Sequence, residues 1–74
     1  MYIIYFVDQK GNAVGRWEVE ELPEYGLGIV LSKDIYFIES LTIKPKEDNI
    51  IPVEARVIDI LSWMKKSRVF NPKS

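Results

Sequence analysis

The sequence predicts a mainly β domain, either a small five-stranded antiparallel meander or a partly closed SH3-like barrel, with a short C-terminal helix. Short runs of β-branched and aromatic residues alternate with polar residues along most of the chain. Turn-forming residues separate these runs about every ten positions. Near Val57 the apolar period lengthens from two residues toward 3.6, which favours a helix after the last strand.

The chain has 74 residues, and 47% of them are hydrophobic. This length accommodates one domain and leaves no room for a separate cofactor-binding lobe. We assign residues 1–66 to a single β-rich domain and residues 67–74 to a basic C-terminal tail. No apolar run approaches the ~20 residues that a membrane-spanning helix needs, so we expect a cytoplasmic protein without membrane contact.

The residue inventory excludes several kinds of chemistry. The chain has no cysteine, which removes disulfides, zinc–thiolate sites and thiol nucleophiles. It also has no histidine, the commonest general base and transition-metal ligand. We therefore expect no metal, no cofactor and no enzymatic activity.

The first third of the chain predicts a β-hairpin. Residues 1–7 are apolar at both parities, which is typical of a strand with neighbours on both sides. A turn over residues 8–12 follows, in which Asp8 can bond the backbone beyond it and Gly11 can adopt a positive φ. Residues 13–20 then alternate apolar and polar side chains, as in a strand with one solvated face.

A second hairpin follows an irregular connection. Residues 22–28 contain one proline and two glycines and predict a surface loop. Residues 29–31 form a short apolar run, and a polar turn over 32–34 separates it from a longer strand over 35–44. The short run carries few charges, so its edge is poorly protected against pairing with another chain.

The apolar parity changes within the longer strand. Tyr36 and Ile38 share one parity, whereas Leu41 and Ile43 share the other. One extra residue near Glu39–Ser40 would return all four side chains to the same face. The pattern therefore predicts a β-bulge or bend there.

The last third admits two interpretations. After a turn over 45–49, residues 53–57 alternate as in a half-buried strand, and Val57, Ile60, Leu61 and Met64 then share a helical stripe. The alternative is a helix throughout residues 52–66, because a helix tolerates a proline such as Pro52 in its first turn. We favour the strand followed by the helix.

Two groups of residues are candidate binding sites. Tyr25 lies in the irregular loop, where an aromatic side chain is more exposed than in a strand. Residues 65–74 carry four basic side chains and no acid, whereas residues 1–64 carry six bases and eleven acids; the two net charges, +4 and −5, add to −1. Aromatic residues accompany this basic charge. The C-terminal candidates are Trp63, Lys65, Lys66, Arg68 and Phe70.

Two other features resemble catalytic or nucleotide sites only in part. Glu18, Glu20, Glu21 and Glu24 cluster in sequence, but the first two share the face that we expect to be solvated. The run Gly26-Leu27-Gly28 lacks the third glycine and the following helix of a dinucleotide-binding turn. Neither feature predicts a reaction.

These observations favour a small non-catalytic interaction module that binds a protein partner or self-associates. A domain of this size without disulfide or metal gains stability from further burial, and we expect a symmetric dimer. The alternative is a weak nucleic-acid-binding module that uses the basic aromatic C-terminal segment. Four positive charges provide too few phosphate contacts for tight binding at physiological salt.

Overall fold

A computed structural model describes residues 1–68 of the chain. Five strands and one short helix make up this part, and the mainly β class with a C-terminal helix is confirmed. The elements are β1 (Tyr2–Val7), β2 (Ala13–Val19), β3 (Gly28–Leu31), β4 (Asp34–Ile43), β5 (Ile51–Asp59) and α1 (Ile60–Arg68).

The strands form one mixed sheet in the order β2-β1-β5-β4-β3, curled into a half-barrel. All neighbouring strands are antiparallel except β1 and β5, which are parallel. This pair departs from a simple antiparallel meander, and the partly closed barrel is the form that the fold resembles. Because β1 is apolar on both faces, it is suited to the interior position between β2 and β5. The first and last strands of the sheet, β2 and β3, are joined by the loop over residues 20–27.

The hydrophobic core lies on the concave face of the sheet. Each strand except β2 contributes at least one fully or nearly fully buried side chain, and from β2 Trp17 packs edge-on against Phe6, with ring centroids 5.0 Å apart. Leu31 of β3 reaches Gly15 of β2 across the interior. The two edges of the sheet thus approach each other through side chains. The core residues are Ile4, Phe6, Ile29, Leu31, Ile38, Val53, Ala55 and Val57.

The β-bulge predicted in the longer strand is confirmed at Glu39. Ile38 pairs with Val57 and Ser40 pairs with Arg56, so Glu39 is the extra residue between two consecutive pairs. The bulge changes the parity of β4 and turns both Ile38 and Leu41 toward the core.

The two hairpins use different turn chemistry. In the β1–β2 turn, Asp8 Oδ1 accepts hydrogen bonds from the backbone N–H groups of Lys10 and Asn12, each at 2.9 Å, and Gly11 has a φ of 89°. The β3–β4 turn consists of Ser32 and Lys33, with φ values of 51° and 73°. Two successive positive φ angles are the signature of a type I′ turn, whose twist matches that of the flanking strands.

The last strand continues to Asp59 before the helix begins, so the strand-then-helix interpretation is correct and a helix throughout 52–66 is wrong. The helical stripe was placed too early, since Val57 is a fully buried core residue of β5. Asp59 caps α1, with its Oδ1 accepting the Ser62 backbone N–H at 2.7 Å. The helix extends to Arg68. Within residues 1–68 no helix is long and apolar enough to cross a membrane.

Candidate interaction surface

An aromatic stack attaches α1 to the convex face of the sheet. The Trp63 ring is nearly parallel to that of Phe37, at an interplanar angle of 11° and a centroid distance of 5.2 Å. Tyr25, from the loop before β3, packs edge-on against Trp63, with the ring centroids 6.1 Å apart. Three distant segments therefore converge on one indole ring.

Two glycines make room for this stack. A Cβ atom on Gly28 would lie 3.0 Å from the Phe37 ring, which is closer than nine in ten Cβ atoms lie to their neighbours. A Cβ on Gly26 would lie 3.6 Å from the Trp63 ring, and the φ of 82° at Gly26 also favours glycine. Gly28 thus allows close packing of the Phe37 ring, and Gly26 provides a positive φ beside the Trp63 ring.

Exposed apolar side chains surround the stack, and we call this set the apolar surface. Val30 and Ile35 are cross-strand neighbours on the convex face, and Ile35 has the same parity as Phe37. Ile60 and Met64 lie four residues apart on α1 and so share one side of the helix. The apolar surface consists of Tyr25, Val30, Ile35, Ile60 and Met64, all of which are exposed.

The structure separates the residues that the sequence grouped as binding candidates. Tyr25 is 61% exposed, Trp63 is half-buried in the stack, and Lys65 is exposed on α1. Lys66 and Arg68 belong to the backbone of α1, but their side chains are outside the described part, as is Phe70 altogether. The structure therefore brings together Tyr25 and Trp63 from the candidate set.

Sequence analysis missed Val30 and Ile35 as surface residues. Both lie in fully apolar runs, where composition alone suggests burial. The available signal was parity: Ile29 and Leu31 are buried, so Val30 between them must point to the opposite face. The polar turn after Leu31 then places Ile35 across from Val30.

A cleft of about 460 Å³ at one end of the sheet carries three carboxylates, from Asp8, Asp34 and Asp59. Hydrogen bonding to backbone N–H groups, chiefly that of Asn12 for Asp8 and that of Ser62 for Asp59, lowers the pKa of both carboxyls. These two groups therefore remain ionised at neutral pH and stabilise a turn and a helix N-terminus. Among residues 1–68 no set of three potential ligands is arranged to hold a metal ion.

The glutamates that cluster in the sequence are solvated, as predicted. Glu18, Glu20, Glu21 and Glu24 are all exposed. Glu18 forms an ion pair with Arg16 at 3.1 Å, and both of these side chains are about half exposed. Exposed pairs of this kind contribute little to stability, and the carboxylate remains in contact with water.

No protein-family model matches the chain, and no curated protein or solved structure is significantly similar to it.

Proposed function

We propose that the protein is a non-catalytic interaction module that binds a protein partner through the apolar surface. The observation that carries the proposal is the concentration of five exposed apolar side chains around the Trp63–Phe37 stack. Contiguous apolar patches on small soluble domains are commonly sites of association, because covering them removes hydrocarbon from water. Val30, which is 65% exposed, and Tyr25 offer the largest gain on burial.

The character of this surface favours protein over nucleic acid. Nucleic acid is bound mainly through cations that contact phosphates and aromatic rings that stack on bases. In this protein the Trp63 ring is already stacked on Phe37, so that face is not free for a base. The apolar surface itself contains no charged residue, and the described cations nearest to it in sequence are Lys33 and Lys65.

The proposal of a non-catalytic role is supported by the chemistry of the cleft. Two of its carboxylates are held by backbone N–H groups and have lowered pKa values, whereas a general acid needs a raised pKa. The chain offers no histidine or cysteine as an alternative acid, base or nucleophile.

The test is retention of a binding partner by matched variants. The full chain, Ile35→Lys and Ile43→Lys are immobilised and exposed to extract from the native cells. Ile43 is a suitable control because it is an exposed isoleucine at the opposite end of β4, 57% exposed and remote from the stack. We expect that the wild-type chain and the Ile43→Lys variant retain the same protein. The Ile35→Lys variant should not retain it. The retained protein is then purified and titrated calorimetrically against the same three chains.

The alternative, weak nucleic-acid binding, predicts a different result. Fluorescence anisotropy with labelled single- and double-stranded oligonucleotides would report binding that Ile35→Lys leaves intact or strengthens. Its affinity would fall with salt, with a logarithmic slope of about 0.9 for each phosphate contact on duplex DNA. That result, together with equal protein retention by all three chains, would overturn the proposal.

A further inference from the structure

The outer edge of β3 has backbone groups without a neighbouring strand. Ile38 donates its backbone N–H to the carbonyl of Leu27 at 3.2 Å, which fixes Leu27 and Ile38 as a hydrogen-bonded pair. Hydrogen-bonded and non-hydrogen-bonded pairs alternate along an antiparallel ladder. Ile29 and Leu31 therefore bond to β4, whereas the N–H and C=O groups of Gly28 and Val30 point away from it.

These groups are accessible. Gly28 and Val30 are both exposed, and the exposure of a glycine is exposure of its backbone. The Phe37 ring lies over one face of Gly28, so the exposed part of this residue includes the edge of the sheet. Edge strands commonly carry a charged residue or a proline that prevents pairing, and Gly28–Leu31 carries neither.

We propose that β3 pairs with β3 of a second copy of this chain, antiparallel and about a two-fold axis at Ile29. The inference rests on the proposed function and assigns a second copy of the chain to the part of the apolar surface around Val30. The register follows from the backbone: a two-fold axis at Ile29 places Gly28 of each copy opposite Val30 of the other. These are the two residues whose N–H and C=O groups point outward, so each can donate and accept across the junction.

The side chains complement each other in this register. Gly28 has no side chain, and the neighbouring Phe37 ring lies against it on the convex face. Val30 of the second copy, which projects from the same face, would fill the place beside that ring. The two Val30 side chains become diagonal neighbours across the junction, at a separation of about 7–8 Å. The most exposed residue of the apolar surface is thereby covered.

The charges at the ends of the junction are also complementary. The pairing brings the turn that carries Lys33 in one copy toward the turn that carries Glu24 in the other. Lys33, Glu24 and Tyr25 are all exposed in the single chain. The ammonium of one copy can therefore approach the carboxylate of the other, and the two-fold axis repeats this contact at the opposite end.

A junction of this size is weak by itself. It joins two short strands of four residues each, which is below the extent of a standard stable interface. We therefore expect a reversible, concentration-dependent dimer with a dissociation constant in the micromolar range.

Sedimentation equilibrium of the full chain over a concentration series tests the proposal, with Val30→Lys, Val30→Pro and Ile43→Lys as variants. Val30→Lys introduces two opposed charges at the junction, and Val30→Pro removes the outward N–H without removing a bond to β4. Each should raise the dimer dissociation constant at least about tenfold, whereas Ile43→Lys should leave it unchanged. Circular dichroism identifies any variant that has lost the fold.

Amide exchange gives a second readout that needs no variant. The N–H groups of Gly28 and Val30 should exchange slowly at high protein concentration and quickly on dilution, while those of Ile29 and Leu31 remain protected throughout. A monomer at about 1 mM, or a dimer in which Gly28 and Val30 stay unprotected, would overturn the pairing. In either case, loss of a heterologous partner from Ile35→Lys would still support the interaction module, so the two proposals fail separately.

Discussion

A δ-carbon of Leu31 lies 2.9 Å from the position that a Cβ atom on Gly15 would occupy. The two residues belong to β3 and β2, which are the two edges of the same sheet. Contact between opposite edges requires a strongly curled sheet, and Leu31 fills the space between them. The absence of a side chain at Gly15 is what allows this closure.

We predict that Gly15→Ala destabilises the fold by about 1 kcal/mol, because the new methyl group displaces the buried Leu31 side chain. Leu31→Ala should cost more, about 3 kcal/mol, since it leaves a cavity in the core. Urea denaturation of each variant gives the free energy of unfolding.

The double variant distinguishes a direct contact from two independent effects. In the Leu31→Ala background the methyl group added by Gly15→Ala enters vacated space, so this substitution should be neutral or stabilising there. Additive free energies in this double-mutant cycle would contradict the closure of the half-barrel by Leu31.

The aromatic stack should hold α1 on the sheet. We predict that Trp63→Ala reduces the helical circular dichroism while the β-sheet unfolds at nearly the same urea concentration. Leu61→Ala is the matched control, since Leu61 lies on the same helix and is 69% exposed. Equal loss of helical signal in both variants would show that α1 does not depend on Trp63.

The capping carboxylate of Asp59 should make α1 sensitive to acid. The pKa of Asp59 is below its ordinary value of 3.8, so its contribution is complete above that value and is lost as the pH falls through the lower, folded-state pKa. Asp59→Ala should therefore lower helicity at neutral pH, whereas Asp59→Asn should retain most of it because an amide oxygen also caps.

The pH dependence provides the check on this assignment. Wild-type helicity should fall below about pH 4, toward that of Asp59→Ala, while Asp59→Asn should lack this transition. Thermal unfolding followed at a helical wavelength across pH 2–7 measures the difference. An acid transition that persists in Asp59→Asn would assign the effect to another carboxyl.

The bulge at Glu39 should be necessary for the fold. Deleting Glu39 forces either Tyr36 and Ile38 or Leu41 and Ile43 to the convex face, because a one-residue shift reverses the parity of a strand. We expect this deletion to abolish cooperative unfolding. Inserting one glycine after Lys46, in the turn before β5, should be tolerated. A deletion variant that still unfolds cooperatively would contradict the register.

Sequence patterns predicted the local features of this fold well. The change of parity between Ile38 and Leu41 located the bulge, and the sequence around Asp8 and Gly11 located the first turn. Each of these signals arises from residues near one another in the chain, so the physical cause is visible in the sequence. The strand-to-helix change was found but placed two residues early, because Val57 fits both a strand face and a helical stripe.

Long-range features were less accessible. The parallel pairing of β1 with β5 depends on which strand covers the second edge of β1, and no local pattern encodes that choice. The interaction surface depends on the packing of Trp63 on Phe37 and Tyr25, which come from a helix, a strand and a loop. Alternation indicates which residues of a strand share a face, but not which helix will cover that face.

Amide hydrogen exchange across the whole chain, in the assembly it forms with itself or with a retained partner, tests the apolar surface most directly. We predict that association slows exchange at Gly28 and Val30, at Ile35 and in α1, and leaves β2 unchanged. Protection confined to β2 or to the outer face of β1, with exchange around Val30 and Trp63 unaltered, would contradict the account.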